Sequence, residues 1–349
     1  MNKNTVIEIL KKESIFSEIE GADTFVEYLV GELKHISLCS VYSTQARIAV
    51  RIDNGEHTII WDECYWKYYR KYLMAAETAR KYKMAVTQAV TAVIAEHLSE
   101  RFSAFKDLRE FLEKIALQFG IAPNLTEEET NKMELRIFLA KIFSVFHEMA
   151  HIRIAQKDTS ALNTKNIIFR MLSNLEKEHF ESLGEWAELH FHMVQDILEG
   201  KYEEILEELM ADAYAAGKIA VYLKDIFGYL NFALICEAVA SIGCLSGFQN
   251  LFNVITRTWD GHYTEIRFGL DPRPRENDPY INELEVVRNG LGQIITVTLL
   301  LSRFELSNRQ RQEIWRYHDK EHVKTSAVMD CLSSEEFICT AIHEARESF

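Results

Sequence analysis

The feature that most constrains this chain is a charged pentad set inside an apolar helical run: His147-Glu148-Met149-Ala150-His151. Its flanks are Phe138, Leu139, Ile142, Phe143, Val145, Phe146 and Ile152. A helix apolar on most sides is a buried helix. Histidines four positions apart share one helical face, so both imidazoles can reach one cation. Buried polar groups without partners are costly, and a single metal ion would satisfy both rings together. Glu148 lies beside the first ring and can reach a water on that ion. Two neutral nitrogens, an open position and a nearby carboxylate are the apparatus of zinc-assisted hydrolysis. The alternative is that His147 and His151 are core histidines bonded to backbone or carboxylate.

Such a site needs a third protein ligand, often a carboxylate. Downstream the chain reads Glu207-Glu208-Leu209-Met210-Ala211-Asp212. Glu208 and Asp212 again share a helical face. Glu208 is the expected third ligand. Asp212 is expected to accept the free N–H of an imidazole, His147 first, and to fix its tautomer. The small residues Ala211, Ala213, Ala215 and Ala216 would let this helix approach another closely. The competing reading is an acidic solvated face continuing Glu203, Glu204 and Glu207. Glu204 or Glu207 could replace Glu208, but only Glu208 has Ala at +3 and Asp at +4.

In these two blocks the sequence resembles the gluzincin class of zinc metallopeptidases, H-E-x-x-H followed by E-x-x-A-D on a second helix. The long stretch from His151 to Glu208 is closer to intracellular or membrane-associated gluzincins than to secreted ones. More narrowly, the chain resembles the bacterial phage-exclusion Lit-type peptidases. Arg153, and the lack of a Gly and third His just behind His151, argue against a metzincin. The resemblance implies a zincin-like metallopeptidase fold, one Zn2+ ion held by His147, His151 and Glu208, and Glu148 as general base. It also implies a His, Tyr or Arg after the second helix to stabilise the oxyanion. His262 is the first candidate and Tyr263 the second, with Arg273 and Arg275 in the same stretch. The alternative there is a polar connector whose arginines pair with Asp271 and Glu276.

The rest of the chain bounds the setting. It has 349 residues, 48% of them hydrophobic, enough for one large or two modest domains. With 4 Pro and 14 Gly, the expectation is a mainly α protein with a small β-hairpin or sheet (α+β). A net charge of −14 argues against nucleic-acid backbone binding. No signal peptide is visible, and the 6 cysteines form no framework or C-x-x-C pair, as in a reducing cytoplasm. The uncharged stretch Ala238 to Thr256 meets the length of a membrane span. Its Ser241, Ser246, Gln249, Asn250 and Asn253 favour a buried helix behind the site instead.

Along the chain, residues 5–38 read as two short helices around Gly21. A hairpin is expected at about 46–61, turning at Asn54-Gly55. It is either a small structural sheet or an edge that holds substrate in extended form. Asp62 then caps a long helical region to about 102, whose Trp61, Tyr65, Trp66, Tyr68, Tyr69 and Tyr72 read as core. A helix covers 104–118, and Gly120 to Asn124 is a break. Thr126 to Glu129 is a capping box opening the pentad helix, 127–157. Further helices are expected at 160–200, 201–226, 230–256, 281–304 and 308–320, with Thr258 to Tyr280 irregular. His179, His190 and His192 read as surface residues or as neighbours behind the ligands. The expected organisation is an N-terminal helical region with the hairpin, 1–120, and a helical region with both metal helices, 121–349, joined in one compact unit.

The leading expectation is an intracellular zinc-dependent endopeptidase acting on a protein or peptide, with no nucleic acid, no membrane and an unidentified regulatory partner. A carboxylate-bridged di-iron protein is the second reading, because Glu148 to His151 and Glu176 to His179 are both E-x-x-H. The third is a zincin fold kept for binding or sensing, without proteolysis.

Overall fold

The computed structural model describes residues 36–41, 48–53, 56–82, 125–175, 186–227, 232–249 and 279–318, with residues 106, 110, 113, 114 and 321. These residues are mostly helical, with one small three-stranded sheet. The strands are β1 (Ile36–Val41), β2 (Ala49–Asp53) and β3 (Glu56–Asp62). The helices are α1 (Glu63–Tyr82), α2 (Glu127–Ala155), α3 (Thr159–Leu172), α4 (Trp186–Leu198), α5 (Glu203–Phe227), α6 (Phe232–Gln249), α7 (Pro279–Ser302) and α8 (308–318).

The expected hairpin is present. β2 pairs antiparallel with β3, and Asp53 opposite Glu56 brackets a two-residue connection. Asn54 and Gly55 lie outside the described residues. β1 corrects the expectation of helix to residue 38. It pairs parallel with β3, Ile36 opposite His57 and Val41 opposite Asp62, giving the order β1-β3-β2. Its side chains alternate, Ile36 and Leu38 buried, Ser37 and Cys39 exposed, as a half-buried strand requires.

β3 runs directly into α1. The Cys64 N–H donates to Asp62 Oδ1 at 3.0 Å, so Asp62 caps the helix as its position implied. The aromatic cluster is core: Trp61 stacks on Trp66 at 5.0 Å, and Tyr65 and Tyr69 meet Phe248 of α6 at 5.1 and 5.4 Å. α6 is the one helix among the described residues long and apolar enough to cross a membrane, and 72% of it is buried inside the protein.

α2 is the axis of the molecule. Its N-terminus carries the full capping box: the Glu129 N–H donates to Thr126 Oγ1 at 3.2 Å, and the Thr126 N–H donates to Glu129 Oε2 at 2.8 Å. The helix ends where Lys157 turns left-handed at φ 55°. Asp158 then accepts from the Ser160 N–H at 2.7 Å and starts α3. α2 packs on the sheet and α1 on one side and on α5 on the other; α5 in turn is covered by α7 and α3. The expected single helical segment 160–200 is two helices, because α3 closes at Ser173. The expectations over residues 5–35, 83–105, 115–124, 176–185, 250–278 and 322–349 lie outside the described residues.

Candidate metal centre

The site forms where α2 and α5 cross. Ala211, Ala215 and Ala216 are fully buried in that contact, and their small side chains let the two axes come close. On α2, Met149, Ala150 and Ile152 face the interior, while His147, Glu148 and His151 are only half-buried. The pentad thus presents one polar face to a solvent-accessible notch on an otherwise buried helix.

Three groups converge there. His147 Nε2 and His151 Nε2 are 3.2 Å apart. Glu208 straddles them: Oε2 is 3.4 Å from His147 Nε2, and Oε1 is 3.4 Å from His151 Nε2. Zinc bonds of about 2.0–2.1 Å at tetrahedral angles set their ligand atoms about 3.3–3.4 Å apart. The two nitrogens, and each nitrogen with one Glu208 oxygen, therefore have about the separations of a zinc shell, with two imidazoles and a carboxylate as the donor set.

The outer nitrogens are held as well. His147 Nδ1 lies 2.8 Å from Asp212 Oδ1, a carboxylate that accepts the Nδ1 N–H and leaves Nε2 facing inward, where its lone pair would meet a cation. His151 Nδ1 lies 3.2 Å from Glu207 Oε1 in the same way. The two contacts differ in strength by exposure: Asp212 is 9% exposed and Glu207 47%. Glu207 was one of the competing ligands in the sequence; here it orients a ring from outside.

The local field favours positive charge. Burial lowers the His147 pKa, but Asp212 and Glu208 outweigh it and raise it to about 10. Burial raises Glu208, yet His147 and Arg288 hold it well below the ordinary carboxylate range. Glu148 is pushed up, chiefly by burial, against the pull of His147 and His151.

One participant was missed from sequence. Arg288 of α7 donates from Nη2 to Glu208 Oε2 at 2.7 Å and lies 3.4 Å from Asp212 Oδ2. Its Nη1 donates to Asn289 Oδ1, and its buried Nε has no hydrogen-bond partner among the described residues. The signal was the helical stretch Arg288-Asn289-Gly290-Leu291-Gly292. Two glycines inside a helix are unfavourable unless something approaches closely. A Cβ at Gly292 would lie 2.4 Å from Asp212 Oδ2, and one at Gly290 would lie 2.7 Å from His190 Nε2. His190, expected at the surface or behind the ligands, is therefore a buried packing residue against α7. His192 is exposed as expected.

His262, Tyr263, Arg273 and Arg275 lie outside the described residues, as does the second E-x-x-H with Glu176 and His179. Comparison of the chain with family models, with curated proteins and with solved structures gives no significant match in any of the three.

Proposed function

We propose that this protein is an intracellular zinc-dependent endopeptidase of gluzincin type, with a zincin-like fold, acting on a protein or peptide in the cytoplasm. The observation that carries the reading is the spacing of 3.2–3.4 Å among His147 Nε2, His151 Nε2 and the Glu208 oxygens, with both outer nitrogens tied to carboxylates. His147, His151 and Glu208 would hold one zinc ion, which when bound would supply Lewis-acid activation of water and of a peptide carbonyl.

The chain's own groups account for the rest. Asp212 and Glu207 hold the outer nitrogens of the two imidazoles and keep both Nε2 atoms aimed inward. The Glu148 carboxylate takes a proton from the attacking water and returns it to the leaving amine nitrogen. The notch is open on the Glu207 and Glu208 side, where an extended chain can enter. β2 is an edge strand of the sheet among the described residues and packs on α2, where a strand edge would suit main-chain hydrogen bonds to such a substrate. His262 and Tyr263 remain the proposed donors to the oxyanion, first and second in order.

The test is a comparison of new protein termini in host cells expressing wild type or Glu148→Gln. Cleavage products unique to the wild type are expected. Equal proteolysis by the variant refutes the assignment. Metal analysis of the purified chain is expected to give one zinc per molecule; two irons would replace this reading with the di-iron one.

A further inference from the structure

Arg288 reaches the candidate metal centre from a third helix, and it grips a single oxygen of the ligand carboxylate. Each Glu208 oxygen lies 3.4 Å from an imidazole nitrogen, Oε1 from His151 Nε2 and Oε2 from His147 Nε2, but only Oε2 also accepts from Arg288 Nη2, at 2.7 Å. A carboxylate can give a cation one oxygen or both. A charge-assisted bond to a guanidinium is strong enough to decide between them.

The grip is built in rather than incidental. The Arg288 side chain is 16% exposed and its Nη1 is engaged with Asn289. One turn further along α7, Gly292 allows the helix to press on Asp212 Oδ2 with no Cβ between them. Arg288 and Gly292 thus share the face that closes over α5, and the arginine has little room to leave Glu208.

We propose that Arg288 is a positioning residue that occupies Glu208 Oε2 and so restricts Glu208 to one oxygen, Oε1, toward the bound cation. The inference rests on reading His147, His151 and Glu208 as a metal centre. It adds a reason why a position stays open for water: the second carboxylate oxygen is already engaged. It also sets a fixed positive charge beside the cation, which holds affinity below what the three ligands alone would give.

The test uses the full chain stripped of metal and loaded with Co2+, whose visible absorption is strong when four-coordinate and weak at higher coordination. Wild type is expected to show the strong band. In Arg288→Met, Oε2 is released, and the band should fall several-fold while cobalt affinity holds or rises. Arg288→Lys, which keeps one charged donor, should restore the band. If Arg288 merely props the site, the Met variant should instead lose about 10–100-fold in affinity with an unchanged band. That result overturns the inference.

X-ray absorption on the zinc-loaded wild type gives a check that does not depend on a variant folding. One carboxylate oxygen at bonding distance is expected, and two overturn the proposal. Wild type that takes up neither cobalt nor zinc overturns the metal-centre reading and this inference together. Metal bound through both oxygens overturns the inference alone.

Discussion

Glu148, Asp212 and Gly292 each bear on the same notch by a different physical route, and their variants should separate accordingly. Glu148→Gln removes a proton carrier but no ligand. Cleavage is expected to fall by about 10²–10⁴ with zinc content unchanged, measured by peptide turnover and elemental analysis. Asp212→Ala removes the acceptor that fixes the His147 tautomer and should lower zinc affinity by about 10–100-fold in competition with a chelating dye. Glu207→Gln should cost less, because that carboxylate is largely in water and its contact is correspondingly weak. Gly292→Ala improves intrinsic helix propensity by about 1 kcal/mol. Yet the new methyl must displace Asp212 Oδ2, so it should reduce zinc affinity without loss of helical signal.

Helix α3, which packs on the α5 helix of the site, is held at its start by a group that titrates. Asp158 accepts from Ser160 at the start of α3, and these hydrogen bonds depress its pKa below the ordinary 3.8. A lowered folded-state pKa stabilises when the group is ionised, so the contribution is complete at neutral pH and fades as pH falls through that depressed value. Asp158→Ala should cost about 1 kcal/mol at pH 7 by urea unfolding, and the gap from wild type should narrow below pH 3.8. The Asp62 cap, the Thr126 box and the pairing of β2 with β3 were legible because each is set by residues a few positions apart. The pairing of His147 with Asp212 was legible for a related reason: both ligand pairs obey helical spacing, and chemistry restricts what can join them. β1 was not, since six alternating residues say nothing of the strand they will pair with. Arg288 was not, since its partner lies 80 positions away and an arginine in a helix ordinarily points to water. Which of its two readings His190 would take was not legible, since the missing side chain of Gly290, rather than any property of its own, makes room to bury it.

At the scale of the molecule, α2 is fixed at both ends of its buried length. Near its N-terminal half, Arg136 donates to Glu237 of α6 at 2.7 Å, to Glu321 at 2.8 Å and to the Tyr317 hydroxyl of α8 at 2.9 Å. Arg136→Met would leave two carboxylates in a poorly hydrated place and should cost about 3–5 kcal/mol in urea unfolding. Three helical turns further on, the same helix carries His147. On the proposed reading, a cation joining α2 to α5 would bind only the folded chain, so zinc at 100 times its dissociation constant should add about 2.7 kcal/mol, read as a rise in Tm that a chelator reverses. The order of these parts along the polypeptide has a consequence for synthesis. His147 precedes Asp212 by 65 positions, and Glu208 precedes Arg288 by 80. A ribosome therefore releases the two imidazoles long before the acid that completes them, and the guanidinium later still. A nascent or truncated copy that stops short of α5 carries only two of the three candidate ligands, so on the proposed reading any hydrolytic power would arrive only once translation has passed the last of these supports.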